Sequence, residues 1–203
     1  MRDRYFFPLA AVVAGAFVFT ALQPFAYRPP SGPLSGGGRN AEDVTATGEE
    51  LHRFLPGNYD GLEIVEGSEG KVLRITRLAS EVYEDPRSGP HLVLAEDLEF
   101  AFESRPIEVI IEARAPADSG ASQFEANYFA KAEGESGWRK FDLTRDFQPY
   151  RFTFDVPSYV GTEGNDYLGI RPVVPDKKRV MEVRSVRFHA IGPKKAPPPA
   201  PPG

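Results

Sequence analysis

Residues 150–156 read YRFTFDV, and this stretch is the strongest indication of the fold class. Every second side chain from Tyr150 to Val156 is apolar, and the side chains between them are polar. Successive side chains of a strand point to opposite faces of a sheet, so this alternation predicts a strand with one buried face.

The same alternation is present on both sides of this stretch. It recurs in residues 71–78, 107–113, 124–130, 139–143, 167–173 and 180–191. In the last of these runs the apolar phase slips near Arg184 and Ser185, which predicts a β-bulge. Clusters of Gly, Pro, Asp and Asn separate the runs, so we predict an all-β chain folded as an antiparallel β-sandwich. Helix is expected in this region only as a turn at Glu49–Phe54.

The inward side chains of these strands define a predicted core. Its members are Leu73, Ile75, Val109, Ile111, Phe124, Tyr128, Phe141, Phe152, Phe154, Leu168, Ile170 and Phe188. Truncating such a side chain would leave a cavity that the packed interior cannot easily refill.

Composition excludes several classes of protein. The chain has 203 residues and no cysteine, which removes disulfide frameworks, thiol nucleophiles and cysteine-ligated metals. Its 24 basic and 29 acidic residues give a net charge of −5, a poor match to nucleic acid as a partner, which requires clustered positive charge. The length allows one ordinary domain with extensions.

The N-terminus carries an apolar segment. Residues 5–22 contain no charged side chain, and this run is just long enough to cross the hydrocarbon core of a bilayer. We therefore predict a transmembrane signal anchor at residues 1–27. The arginines Arg2 and Arg4 precede the span, which favours a cytoplasmic N-terminus and a globular domain in the periplasm or outside the cell.

A cleaved signal peptide is the alternative to this anchor. Cleavage requires small residues before the cut. A cut after Ala26 would place Pro24 at the −3 position, and a cut after Ala21 would place Phe19 there. Both positions are poor, so the uncleaved anchor is preferred.

Composition also divides the rest of the chain. Residues 28–48 are rich in Pro, Gly and Ser and are predicted to form a flexible linker. Residues 49–192 form the predicted β-sandwich domain, and residues 193–203 are predicted to be a disordered Pro-rich tail. The alternative for the tail is a docking peptide for a proline-binding partner.

The order of these strands resembles a known group of folds. The segments KVLRIT, GPHLVL, IEVIIEARA, GWRKFDLTRDFQPYRFTFDVP, DYLGIRPVV and VRSVRFHAI come one after another within residues 57–192. This layout resembles the galactose-binding-like jelly roll of many carbohydrate-binding modules. The resemblance implies a fold more than a ligand, because core and turn residues carry it, and one fold hosts many functions.

No catalytic motif is present, and we expect the chain not to be an enzyme. The histidines His52, His91 and His189 have no metal-ligand spacing and are expected at the surface or partly packed. The carboxylates of residues 96–99 and the pair Glu108 and Glu112 are expected on a solvated surface.

One acidic turn is a candidate metal site. Asn58, Asp60 and Glu63 place oxygen ligands around a glycine, a pattern that can wrap a calcium ion. The resemblance also implies a structural calcium near the start of the domain. The alternative is an ordinary turn, since this sequence is typical of turns as well. No other cofactor is expected.

The outward side chains of two strands form the candidate ligand site. If Phe124 and Tyr128 point to the core, then Gln123, Glu125 and Asn127 point away from it together, and Tyr167 and Arg171 do so on another strand. Amides, carboxylates and arginine with an aromatic ring are suited to hydroxyl recognition. The alternative is a solvated face laced with cross-strand ion pairs. Trp138 is expected to pack at the edge of the sandwich, and an exposed stacking platform is the alternative.

These observations support two functions. The first is a membrane-anchored extracytoplasmic module that binds carbohydrate. The second is a non-enzymatic scaffold or interaction subunit of an envelope membrane complex, with another envelope protein as its partner. The site residues decide between them: an open groove favours a polysaccharide ligand, and a face that is covered or internally salt-bridged favours the scaffold.

Overall fold

The computed structural model describes residues 3–22, 27–58, 61–67, 69–78, 85–131, 134–158, 164–174 and 179–195. The strands in these ranges are β1 Asp43–Thr47, β2 Phe54–Leu55, β3 Leu62–Gly67, β4 Gly70–Arg77, β5 His91–Val93, β6 Pro106–Arg114, β7 Gln123–Ala130, β8 Gly134–Glu135, β9 Arg139–Asp142, β10 Gln148–Asp155, β11 Tyr167–Pro172 and β12 Arg179–Ala190. The α-helices are α1 Asp3–Leu22 and α2 Glu96–Phe102, and 3-10 helices occupy Gly48–Arg53 and Pro86–Ser88.

The strands form two antiparallel sheets of six strands each. The first sheet has the order β10-β6-β12-β4-β3, with β1 also paired to β12. The second sheet has the order β2-β5-β11-β7-β8, with β9 also paired to β7. The two sheets stack as a sandwich, which confirms the predicted antiparallel β-sandwich.

The predicted core is confirmed residue by residue. Ten of its twelve members are buried in the central cluster, and the other two, Phe141 and Phe154, are half-buried against it. The ring centroids of Phe124 and Phe141 lie 5.0 Å apart, and Tyr150 packs against Phe124 at the same distance. Such aromatic contacts join side chains of both sheets, so the two layers share one core.

The predicted bulge is confirmed as well, and it has a role in the topology. The register of β12 on β6 shifts between Val183 and Ser185. Before the shift β12 pairs with β4, and after it β12 pairs with β1, from Ser185 to His189. The extra residue therefore lies where β12 exchanges one neighbour for another.

The first strand lies inside the predicted linker of residues 28–48. It pairs with β12 over all five of its residues. Further upstream, Leu34 is buried and bridges Leu94, and the Asp97 carboxylate accepts hydrogen bonds from Ser35 Oγ and the Gly36 amide at 2.7 and 3.0 Å. The sandwich thus begins before residue 49, because a few specific contacts fix a segment whose composition is typical of a flexible spacer.

The predicted tail is described only at its start. The Lys195 amide donates to the carbonyl of Ser104 at 2.6 Å, so the chain still contacts the sandwich there. Residues 196–203 lie outside the described residues, and their disorder stays a prediction.

Helix α1 occupies the predicted N-terminal anchor. Within the part of the chain that the structure describes, no helix combines the length and the hydropathy that a membrane span requires. The transmembrane helix is therefore not supported by the structure, and the anchor stays a prediction.

Helix α2 was not expected from the sequence, and it buries one of the carboxylates predicted to be solvated. Glu99 is 7% exposed. Its two oxygens accept from Lys131 Nζ at 2.8 Å and from the Asp166 amide at 2.9 Å. The Asp166 carboxylate in turn accepts from the buried Tyr128 hydroxyl at 2.9 Å. A buried carboxylate needs such partners, because burial without them strongly disfavours its charge.

Candidate functional site

The five predicted ligand residues share the outer face of the second sheet. Gln123, Glu125 and Asn127 alternate along β7 with core residues. In the antiparallel register Arg171 of β11 lies opposite Glu125, and Tyr167 lies opposite Phe129. The structure therefore brings them together on one surface, as the period-two pattern predicted.

The centre of this surface is an ion pair beside an aromatic ring. Arg171 Nε and Nη2 both lie 2.9 Å from one Glu125 oxygen, and both side chains are about one-sixth exposed. The Arg171 Cζ atom lies 3.7 Å from the centroid of the Trp138 ring. Lys140 Nζ lies 3.7 Å from the second Glu125 oxygen. Planar groups held on several sides in this way have little rotational freedom left.

One further pair extends the surface towards solvent. Gln123 Nε2 donates to Asp142 Oδ1 at 2.7 Å, and Asp142 is exposed on β9. The pair lies two residues along β7 from Glu125, which faces Lys140 across the same two strands. We call Gln123, Glu125, Trp138, Lys140, Asp142 and Arg171 the polar strip.

Asn127 is not part of this strip, because it is fully buried. Its Nδ2 donates to Glu135 Oε2 at 2.6 Å, and its Oδ1 accepts from Ser136 Oγ at 3.2 Å. Ser136 Oγ also accepts from the Tyr128 amide at 2.9 Å. The segment after β8 therefore covers Asn127, and the role of this amide in the structure is to hold that segment on the sheet.

Tyr167 is also covered. It is 3% exposed, its ring stacks on Phe129 with centroids 4.8 Å apart, and the buried His91 ring meets it edge-on at 5.9 Å. Burial, followed by the charge of Asp85, raises the pKa of the Tyr167 hydroxyl. Arg87 lies over the same ring, with its Cζ 5.6 Å from the centroid. The residues before β5 thus cover the end of the second sheet's outer face where Tyr167 lies.

The candidate calcium residues are not assembled into a site by the described part of the chain. Asn58 is an exposed turn residue whose amide donates to the Ser88 carbonyl at 3.0 Å. Glu63 lies on β3 and pairs with Arg74 Nη1 at 3.2 Å. Asp60 lies outside the described residues, which contain no cluster of three or more acidic or histidine ligands.

Three residues of the polar strip were missing from the predicted site. Lys140 and Asp142 are the polar alternates around Phe141, so pairing the run at 139–143 with the run at 124–130 would have placed them on this face. Trp138 was expected to pack at an edge, and it instead lies half-buried beside Arg171 on the outer face. Its position depends on the turn at Gly137, whose φ is +70°.

Comparison with known proteins identifies the fold of this chain. No protein-family model matches the chain, and no curated protein matches it significantly. Among solved structures, the CBM22-2 xylan-binding domain of Xyn10C from Paenibacillus barcinonensis has a TM-score of 0.54 at 11% identity, covering 72% of this chain and 98% of that one.

Two other solved structures have lower TM-scores. A CBM4 module matches at 0.46 and 14% identity over 68% of this chain and 94% of its own. The xylan-binding module CBM15 matches at 0.44 and 12% identity over 70% and 91%. The likeness to the CBM22-2 domain shows a shared fold, the jelly roll that the resemblance in the sequence implied.

Proposed function

We propose that this chain is a non-catalytic module that binds a polysaccharide through the polar strip. The observation that carries the proposal is the set of mutually oriented planar groups around Glu125 and Arg171, placed beside the half-buried ring of Trp138. Sugar recognition uses this combination, because hydroxyl groups both donate and accept hydrogen bonds while the faces of the ring pack on aromatic surfaces.

The pairing within the strip supports binding as well as stability. A carboxylate has about four acceptor positions, so the ion pairs of Glu125 with Arg171 and Lys140 do not exhaust it. Because Glu125 and Gln123 are each held by a neighbour, ligand binding to them would cost less side-chain entropy than binding to freely rotating side chains. An extended polymer suits a surface that runs along the sheet.

The fold supports the choice of the first probe. The CBM22-2 domain, which matches with a TM-score of 0.54, is named as a xylan-binding domain. We therefore propose β-linked xylan as the first polysaccharide to test, and the chemistry of the strip itself specifies only a hydroxyl-rich chain.

Calorimetric titration of the full chain with xylohexaose tests this function. Replacing Trp138 by Ala should weaken binding about tenfold or more, because an aromatic contact with the sugar is lost. Phe147→Ala is the matched control: this ring lies between the guanidinium groups of Arg114 and Arg184 on the other sheet, at 4.4 and 4.6 Å from their Cζ atoms. Equal affinity of wild type and Trp138→Ala would contradict the proposal.

A specific observation favours the second function, a scaffold or interaction subunit. Asn127 and Tyr167 are covered, and Glu125 and Arg171 neutralise each other. A flat calorimetric response to neutral and acidic polysaccharides alike would leave this function standing.

Both functions place the globular domain outside the cytoplasm, and this location stays a prediction. Side chains of α1 such as Phe6, Phe7, Val12 and Phe17 are largely exposed, which is compatible with a lipid environment. Alkaline carbonate extraction of membranes, with the mass of the mature chain, tests it. A soluble product that starts near Ala26 would contradict the anchor.

A further inference from the structure

A groove of about 700 Å³ lies on the outer face of the first sheet, opposite the polar strip. Strands β3, β4 and β12 form its floor, the loop of residues 115–119 forms one wall, and Arg145, from the loop before β10, lies at its rim. This volume is within the range of small-molecule and oligosaccharide sites.

The floor of the groove is a neutralised ion-pair network. Glu182 is 2% exposed and accepts from Arg74 Nη2 at 2.7 Å and from Arg114 Nε at 2.8 Å. Arg74 Nη1 also pairs with Glu63 at 3.2 Å. Burial alone would raise the pKa of Glu182, but the hydrogen bonds from the two arginines lower it. The side chains of the floor are therefore held in place, and positive and negative groups alternate along it.

The wall of the groove is held in place by the sheet. Val180 exchanges backbone hydrogen bonds with this segment: its amide donates to Ser119 O at 2.9 Å, and its carbonyl accepts from the Ala121 amide at 2.8 Å. A Cβ atom at Gly120 would lie 2.3 Å from the Pro116 carbonyl oxygen, so the tight turn requires glycine there. The shape of the groove is thus set before any ligand binds.

Two arginines line this groove from backbone segments that contact each other. The Ala115 amide donates to the Thr144 carbonyl at 2.7 Å, so Arg114 and Arg145 flank a backbone contact and both line the groove. Arg145 has no hydrogen-bond or ion-pair partner among the described residues, and Arg114 uses only Nε to bind Glu182. Asp118 likewise has no partner within the described ranges and lines the same groove.

We propose that this groove binds an acidic saccharide, with a uronic acid carboxylate against Arg114 and Arg145 and the sugar hydroxyls against Asp118 and Glu63. Guanidinium groups recognise carboxylates by paired, charge-assisted hydrogen bonds. The carboxylates of Asp118 and Glu63, which line the same groove, can accept hydrogen bonds from hydroxyls but repel a second anion. This balance fits a short saccharide with a single carboxylate, and it disfavours an acidic peptide, whose further charges would meet Asp118 and Glu63. The inference goes beyond the proposed function and uses the other sheet.

Calorimetric titration of the full chain with an acidic trimer, a xylobiose that carries one glucuronic acid, tests the groove, with neutral xylotriose as the matched sugar. Arg145→Gln should weaken binding of the acidic trimer at least about tenfold, because a charge-assisted bond is lost. Arg145 is exposed and unpaired in the described structure, so this variant should fold normally. Arg151→Gln is the matched control: Arg151 lies on the same sheet, half exposed, and pairs with Glu108 outside the groove.

The outcomes separate this inference from the proposed function. Weaker binding of the acidic trimer in Arg145→Gln, with full binding in Arg151→Gln and Trp138→Ala, supports the groove. Equal losses in Arg145→Gln and Arg151→Gln, no binding of the acidic trimer by wild type, or equal affinity for polyglutamate would overturn it. Loss of xylohexaose binding in Trp138→Ala bears on the polar strip alone.

Discussion

The outer faces of the two sheets are built from the same kind of alternating strand and yet differ in how their polar residues are used. On the first sheet, arginines and glutamates pair across open strands, as Arg151 does with Glu108 and Arg184 with Glu112. On the second sheet, Asn127, Tyr167 and His91 are buried beneath neighbouring segments. The alternation of polar and apolar residues is equally clear on both sheets.

The difference lies in the segments that flank the strands. The segment after β8 folds back onto Asn127, and the residues before β5 close over Tyr167. Among the described residues, the first sheet outside its groove has no such cover, so charged pairs there, such as Arg184 and Glu112, stay partly exposed. A period-two pattern therefore identifies the side of the sheet but not whether that side is open. Matched substitutions on the two faces test this contrast.

The largest effect should come from the core that both faces share. Phe152→Ala removes a ring that is 8% exposed and should lower the free energy of unfolding by about 3–5 kcal/mol. Arg151→Ala, at the preceding residue, changes a side chain on the open face and should cost less than about 1 kcal/mol. Urea denaturation of the two variants measures both values. Similar stabilities would show that the face assignment of β10 is wrong.

The second prediction compares two amide side chains on the outer face of the second sheet. Asn127→Ala should lower the free energy of unfolding by about 1–3 kcal/mol, because Glu135 at the end of β8 and Ser136 after it lose their hydrogen-bond partner. Gln123→Ala lies on the same strand and the same face, but its partner Asp142 is exposed. Its cost should stay below about 1 kcal/mol. Equal losses in thermal or urea denaturation would contradict the covering role of the loop.

Much of this fold could be predicted because the strongest signals were local. Strand β10 and the bulge in β12 are evident from side-chain phase alone, and both are confirmed. Strand β1 and helix α2 were missed for a physical reason. The first is a short polar strand stabilised by pairing with β12, and the second is a short helix whose Glu99 is satisfied by Lys131 from a distant part of the chain. Tertiary contacts decide such elements, and no window of sequence contains them.

For the candidate site, the sequence predicted only the face of the sheet on which its residues lie. The pattern placed Glu125 and Arg171 on one face, and cross-strand pairing of β7 and β11 made them neighbours. It could not show that Asn127 is covered, since the turn after β8 determines that. The groove on the first sheet was not predictable either, because it depends on a backbone hydrogen bond between Ala115 and Thr144, which are far apart in the sequence.

The third effect compares one ion pair from each face. The side chains of Glu125 and Arg171 are each about one-sixth exposed, whereas those of Glu108 and Arg151 are 26% and 50% exposed. Double-mutant cycles with alanine should give a coupling energy above about 1 kcal/mol for the first pair. The second pair should give less than about 1 kcal/mol, since solvent screens it. Coupling energies of the same size would remove the contrast between the faces.

The smallest effect is a pH dependence that arises at the covered end of the second sheet. Burial lowers the pKa of His91, and the charge of Arg87 lowers it further, while the Gly89 carbonyl and Asp85 act in the opposite direction. The unfolded chain takes up the proton near pH 6.5, and the folded chain does so only at lower pH. Between these values the unfolded state binds more protons, so stability is full above about pH 6.5 and falls as the pH falls.

Urea denaturation of the full chain at pH 7, 6 and 5 measures this slope. In wild type the free energy of unfolding should decrease over this range, and in His91→Gln the decrease should be smaller, because the variant has no imidazole to protonate on unfolding. Carboxylates with lowered pKa values, such as Glu182 and Glu112, begin to lower the stability as the pH approaches 4.5. They do so equally in wild type and in His91→Gln, so the difference between the two slopes reports on His91. A slope in His91→Gln equal to that of wild type would contradict the burial of His91 as the cause of the pH dependence.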